Sequence, residues 1–195
     1  MRSIPLPFAK QRAQRCALFR LRRPDEAEQE DTMDPHEQYE EQEVLLSEQP
    51  AHLWSRRKQE LVHWTERDKQ VIIPKQTAIW NGIEVDTELV STLSLLHEAG
   101  VQTEFSCAGV SPLDEPVDHS LYAYVTLIHN PASERFVKYA LQRMKNRLLV
   151  TYEPGRGRYD LSSFFIGHNR SFCWWMERCA LDFKRRNEAG EEHVV

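Results

Sequence analysis

From about residue 71 onward the apolar positions of this chain fall into short alternating or helical repeats, separated by Gly, Pro, Asn and Asp. Ile79-Trp80-Asn81-Gly82-Ile83 sets an Asn-Gly pair between apolar residues, which predicts a hairpin because both residue types tolerate positive φ. Asp86 then stands as an N-cap, Leu89, Leu93 and Leu96 share one helical face, and Gly100 supplies a left-handed stop. That is a helix of about four turns. Val101, Thr103 and Phe105 alternate with Gln102 and Glu104, predicting a strand with one buried face that runs into the turn Ser106-Cys107-Ala108-Gly109.

After a loop rich in Pro and Asp, residues 121–128 are apolar on both faces and predict a central strand. Asn130 as N-cap and Pro131 at the first helical position open a helix with Phe136, Val137, Ala140, Leu141 and Met144 on its core face. Residues 148–152 and 159–166 read as strands joined around Pro154-Gly155-Arg156-Gly157. In the last helix Phe172, Trp175, Met176, Cys179 and Phe183 recur at helical spacing, an aromatic stripe that belongs to a core rather than to a cofactor box.

This order predicts an α+β fold with a mostly antiparallel sheet and helices packed on one face. The first six elements match a ferredoxin-like split βαβ core, to which a C-terminal strand and helix are added. In that topology the turn at 106–109 and the segment 167–171 meet at one edge of the sheet, while His129, Arg156 and Arg158 lie at the opposite edge.

Upstream the pattern weakens. Ser47 is expected to cap a helix with Pro50 in its first turn, docked through Leu53, Trp54, Leu61 and Trp64, with Arg56, Arg57, Lys58 and Arg67 on a solvated face. Residues 1–23 carry seven Lys or Arg and no acid, and residues 24–43 carry ten acids and no Lys or Arg. Such opposed blocks without apolar periodicity predict a disordered extension over residues 1–46, ahead of a single domain over 47–195. The Arg-rich start also fits a nucleic-acid-binding arm or a transit sequence, and Met33 is an alternative start.

Composition narrows the classes. The chain has 195 residues, enough for one core, and a net charge of -5, which disfavours non-specific DNA binding. Its four cysteines form no CxxC pair, in keeping with a reduced, cytosolic setting, and no apolar run approaches the roughly 20 residues that span a bilayer.

The candidate chemistry gathers at the edge shared by 106–109 and 167–171. Asn169 or Ser171 capping the last helix, His168 and Arg170 beside them, and Ser106 and Gly109 in the facing turn form a recipe for holding a small anionic, nucleotide-like ligand. A second reading makes Cys107 a nucleophilic or redox thiol with His119 or His168 as its base. A third is a metal site of Cys107, His119 and one of Asp114, Glu115 or Asp118. Its spacing matches no structural zinc pattern, so no metal and no cofactor are assigned.

The turn Thr103-x-x-Ser106-Cys107-x-Gly109 resembles that of the wybutosine-synthesising tRNA methyltransferases, which implies S-adenosylmethionine-dependent RNA modification. This chain departs from that family in carrying Val110 where the family has Arg. Gly82-Ile83-x-Val85-Asp86, the Ser106 to Gly109 turn and Tyr122-Ala123-Tyr124-Val125 also resemble small bacterial and phage proteins, a likeness that implies no activity. Beside the ligand-binding domain stands a non-enzymatic alternative, an interaction module that binds a protein partner through its acidic extension and Trp-bearing helix.

Overall fold

Asn81 and Gly82 both take positive φ, 47° and 78°, and so turn the chain between β2 (Thr77–Trp80) and β3 (Ile83–Asp86). The computed structural model describes residues 43–68, 74–112 and 119–190 of the protein. Most of the expected extension, and the acids at 114, 115 and 118, lie outside these residues.

After β3 come α2 (Thr87–Glu98), β4 (Thr103–Cys107), β5 (Tyr124–Ile128), α3 (Pro131–Met144), β6 (Leu148–Glu153), β7 (Arg158–Ser163) and α4 (Asn169–Glu188). Before β2 lie β1 (Val44–Leu45) and α1 (Ala51–Glu66). The fold is α+β. Its main sheet has the order β1-β6-β7-β5-β4 with every neighbour antiparallel, while β2 and β3 pair only with each other.

The sheet departs in one place from the split order. The strand preceding the first helix belongs between the third and fourth strands of that pattern, and here β7 fills the position. The short β2–β3 hairpin instead leads into α2 as a separate ribbon. The domain also starts earlier than residue 47, because Val44 and Leu45 add an edge strand to β6.

Val125, Leu127, Leu148, Val150 and Leu161 point from the sheet into the main core, where α2, α3 and α4 deliver Leu89, Leu93, Leu96, Phe136, Val137, Ala140, Phe172, Met176 and Phe183. Sequence periodicity anticipated the helix faces. Asn130 caps α3 through a reciprocal capping box with Ser133. Gly100, at φ 77°, ends α2 as expected.

Phe105 is a correction. A bulge between Thr103 and Phe105 sets two residues of β4 against one of β5. One extra residue reverses the side on which the next side chain emerges, so Phe105 is 45% exposed.

The α1 helix packs elsewhere. Trp64 joins Val110, Tyr122 and Ile166 in a second cluster, and Trp54 meets Phe164 edge to face at 5.0 Å. Its basic residues are not simply solvated. Arg57 donates to the carbonyls of Ser163 and Phe164 and lies 3.8 Å over the Tyr122 ring. The guanidinium thereby ties α1 to the backbone where the chain leaves β7. Ser47 does not cap α1 either, because its hydroxyl accepts the N–H of Val150 in β6.

A buried Asp-Cys-His cluster as the candidate functional site

Asp86 occupies the N-cap position of α2, but its carboxylate makes no capping bond. The turn after β4 brings the buried N–H of Ala108 to Asp86 Oδ2 at 2.6 Å, and Lys75 Nζ lies 3.9 Å from the same oxygen. The other oxygen, Oδ1, faces His119 Nε2 at 3.3 Å. The Lys75 and Asp86 side chains are 5% and 6% exposed, so this is an interior charge cluster. Burial works to raise the Asp86 pKa. The His119 bond, the Ala108 N–H and the Lys75 charge outweigh it and hold the carboxyl below its usual range.

Cys107, at the end of β4, completes the group. One ligating atom from each of Asp86, Cys107 and His119 lies within 4.8 Å of the other two. The N–H groups of Gly109 (3.4 Å) and Ser120 point at its sulfur. Burial, reinforced by the negative charge of Asp86, nevertheless pushes the thiol above its ordinary range. His119 Nδ1 is buried and has no hydrogen-bond partner among the described residues. The cluster therefore resembles a Cys-His-Asp triad in composition, while its thiol remains protonated.

The other expected site residues divide between this cluster and a separate neighbourhood. Asn169 does lie against the Gly109 turn, as the topology requires, but its amide is consumed within the protein. Its Nδ2 donates to the carbonyls of Val110 (2.7 Å) and Leu121 (2.8 Å), and its Oδ1 accepts the N–H of Ala123 (2.8 Å). It is a staple between two irregular segments, not a cap. Gly109, at φ 71°, makes room for that staple rather than for a ligand, since an added Cβ would stand 2.4 Å from both Ala123 N and Asn169 Nδ2.

His168 belongs to the second neighbourhood, where it packs against Phe165 at 5.2 Å. Burial, opposed by Glu60 and aided by Arg56 and Arg147, keeps its pKa low. Ser171 donates to the His168 carbonyl, and Arg170 is exposed. The backbone donors leading into α4 already hold an anion that the protein provides: Glu60 accepts the N–H groups of Ile166 and Gly167, both at 2.8 Å. Ser106 is half-buried and pairs with Val125.

No family model matches this chain. No curated protein and no solved structure matches it significantly either. The turn likened to the methyltransferases has Val110 at its end, 1% exposed and packed with Trp64, Tyr122 and Ile166.

Sequence reasoning missed Asp86, Lys75 and Glu60. Asp86 carried a signal that pointed elsewhere, because a carboxylate directly before a helix reads as a cap. Glu60 lay among the charges of a face taken as solvated. Lys75 carried no local signal at all.

Proposed function

We propose that the protein is a small-ligand domain whose working site is the Asp86-Cys107-His119 cluster with Lys75 beside it, and that the ligand is a small anion such as a phosphate ester or a carboxylate. The convergence of these four side chains from four separate segments carries the reading. Burying two ionisable side chains together with an imidazole and a thiol costs stability that apolar residues would not, and a binding role accounts for it. The Nδ1 of His119, without a partner among the described residues, adds weight, since a buried polar nitrogen left unpaired costs about 1–3 kcal/mol and a ligand atom removes that cost. A protonated thiol with no bonded base favours binding over nucleophilic catalysis.

Native mass spectrometry of gently purified full-length protein tests this, with phosphate and nucleoside phosphates added where nothing co-purifies. The expected result is a bound mass that is lost in Cys107→Ser and in His119→Ala and retained in His168→Ala. A mass that survives the first two replacements and disappears with the third would move the site to the Glu60 side of the fold. Protein that stays bare with every probe would refute the ligand reading.

A further inference from the structure

We propose that Asp86 Oδ1, His119 Nε2 and Cys107 Sγ bind one divalent transition-metal ion of the zinc class, with a fourth coordination position left open. This deepens the ligand reading above, because it uses the same cluster, but it stands on separate geometry. A carboxylate oxygen and an imidazole nitrogen, each about 2.0–2.1 Å from a tetrahedral ion, are roughly 3.3–3.4 Å apart. Asp86 Oδ1 and His119 Nε2 are 3.3 Å apart, long for a charge-assisted hydrogen bond and fitting for two ligands of one ion. A thiolate about 2.3 Å from the same ion would sit roughly 3.6 Å from the other two ligands. One ligand atom from each of the three residues already lies within 4.8 Å of the other two, so closing on an ion asks for about an ångström of movement.

The surroundings fit this assignment. Asp86 Oδ2 is held by the Ala108 N–H, while Oδ1 faces His119. Two backbone N–H groups, from Gly109 and Ser120, are aimed at the Cys107 sulfur, the arrangement that stabilises a metal-bound thiolate. On binding, the thiol loses its proton to solvent and a metal–sulfur bond replaces the S–H bond, with no change of oxidation state. Lys75 does not exclude the ion, because it approaches Asp86 from the Oδ2 side and shares its charge with Glu88 at 3.4 Å.

A mixed sulfur, nitrogen and oxygen set selects a zinc-like ion over magnesium or calcium, which take oxygen ligands. Three protein ligands mark an open site rather than a closed structural one. The ion also resolves an electrostatic difficulty of the anion reading. Asp86 by itself repels an anionic ligand, whereas a divalent cation neutralises Asp86 and the thiolate and still offers the anion a direct bond.

Titration of reduced, full-length protein with Co2+ tests the inference through the thiolate-to-cobalt charge-transfer absorption. The expected result is one equivalent of Co2+ with that band, displaced by Zn2+. Cys107→Ser abolishes the band, and Asp86→Asn and His119→Ala each weaken binding at least about tenfold. Cys16→Ser, Cys173→Ser and Cys179→Ser leave it intact, and circular dichroism confirms that every variant is folded. Absence of the band, or its survival in Cys107→Ser, overturns the proposal. So does unchanged affinity in His119→Ala, a substitution at a partly exposed side chain. Phosphate binding measured with and without a chelator separates the two readings: binding that persists without metal overturns the metal's role in holding the anion and leaves the ligand domain standing.

Discussion

Replacing Asn169 with Ala removes three hydrogen bonds at once, to Val110, Leu121 and Ala123, from a residue that is 2% exposed. Each backbone partner is then left without its acceptor or donor in a site too tight for full hydration. At about 1 kcal/mol per bond the loss is roughly 3 kcal/mol. With a urea slope of about 2 kcal/mol/M for a domain of this size, the unfolding midpoint should fall by about 1.5 M. Asn169→Asp should fall further still, because one carboxylate oxygen would face the two carbonyls that now accept from Nδ2. The assay is equilibrium urea unfolding followed by tryptophan fluorescence. A midpoint shift below about 0.3 M for Asn169→Ala, or an Asp variant at least as stable as the Ala variant, would refute the staple.

Gly109→Ala and Gly157→Ala form a pair, since both positions have positive φ but only the first has atoms within 4 Å of the added Cβ. Gly157→Ala should cost about 1–2 kcal/mol from backbone conformation alone, and Gly109→Ala distinctly more, so equal losses in thermal melting would show that the 2.4 Å approaches are relieved without cost. Asp86 is held below the ordinary carboxyl range, so its charge stabilises the fold above that range, near pH 3.9, and the contribution is lost as pH falls through the lower folded value. The stability gap between wild type and Asp86→Asn, measured in urea at pH 7, 5 and 3, should therefore narrow on acidification, and a gap that widens would contradict the assignment of causes.

Much of the fold was legible because its signals are local. Helix stops at Gly100, the capping box at Asn130 and the aromatic stripe of α4 each follow from a few adjacent residues. The edge that unites Cys107 with Asn169 was also legible, because antiparallel order alone brings those strand ends together. What escaped was set by tertiary competition. The bulge before Phe105 has no Gly or Pro to announce it, and a single inserted residue reversed the predicted face. Asp86 had two available uses, and the cap lost to a buried N–H some twenty residues along the chain. Glu60 binds donors more than a hundred residues away, which no local pattern can reveal. Next to the segment expected to hold an anion before α4, the N–H groups of Ile166 and Gly167 are taken by a carboxylate of the protein itself.

The place of β7 in the sheet has a consequence for biosynthesis. It is the strand between β6 and β5, and its last residue is Ser163. Until that segment has left the ribosome, β1 with β6 and β5 with β4 are two ribbons that share no strand, each too narrow to hold a stable hydrophobic face. Chain termination before residue 158 would release both ribbons with their central edges unpaired, an arrangement that invites association between nascent chains.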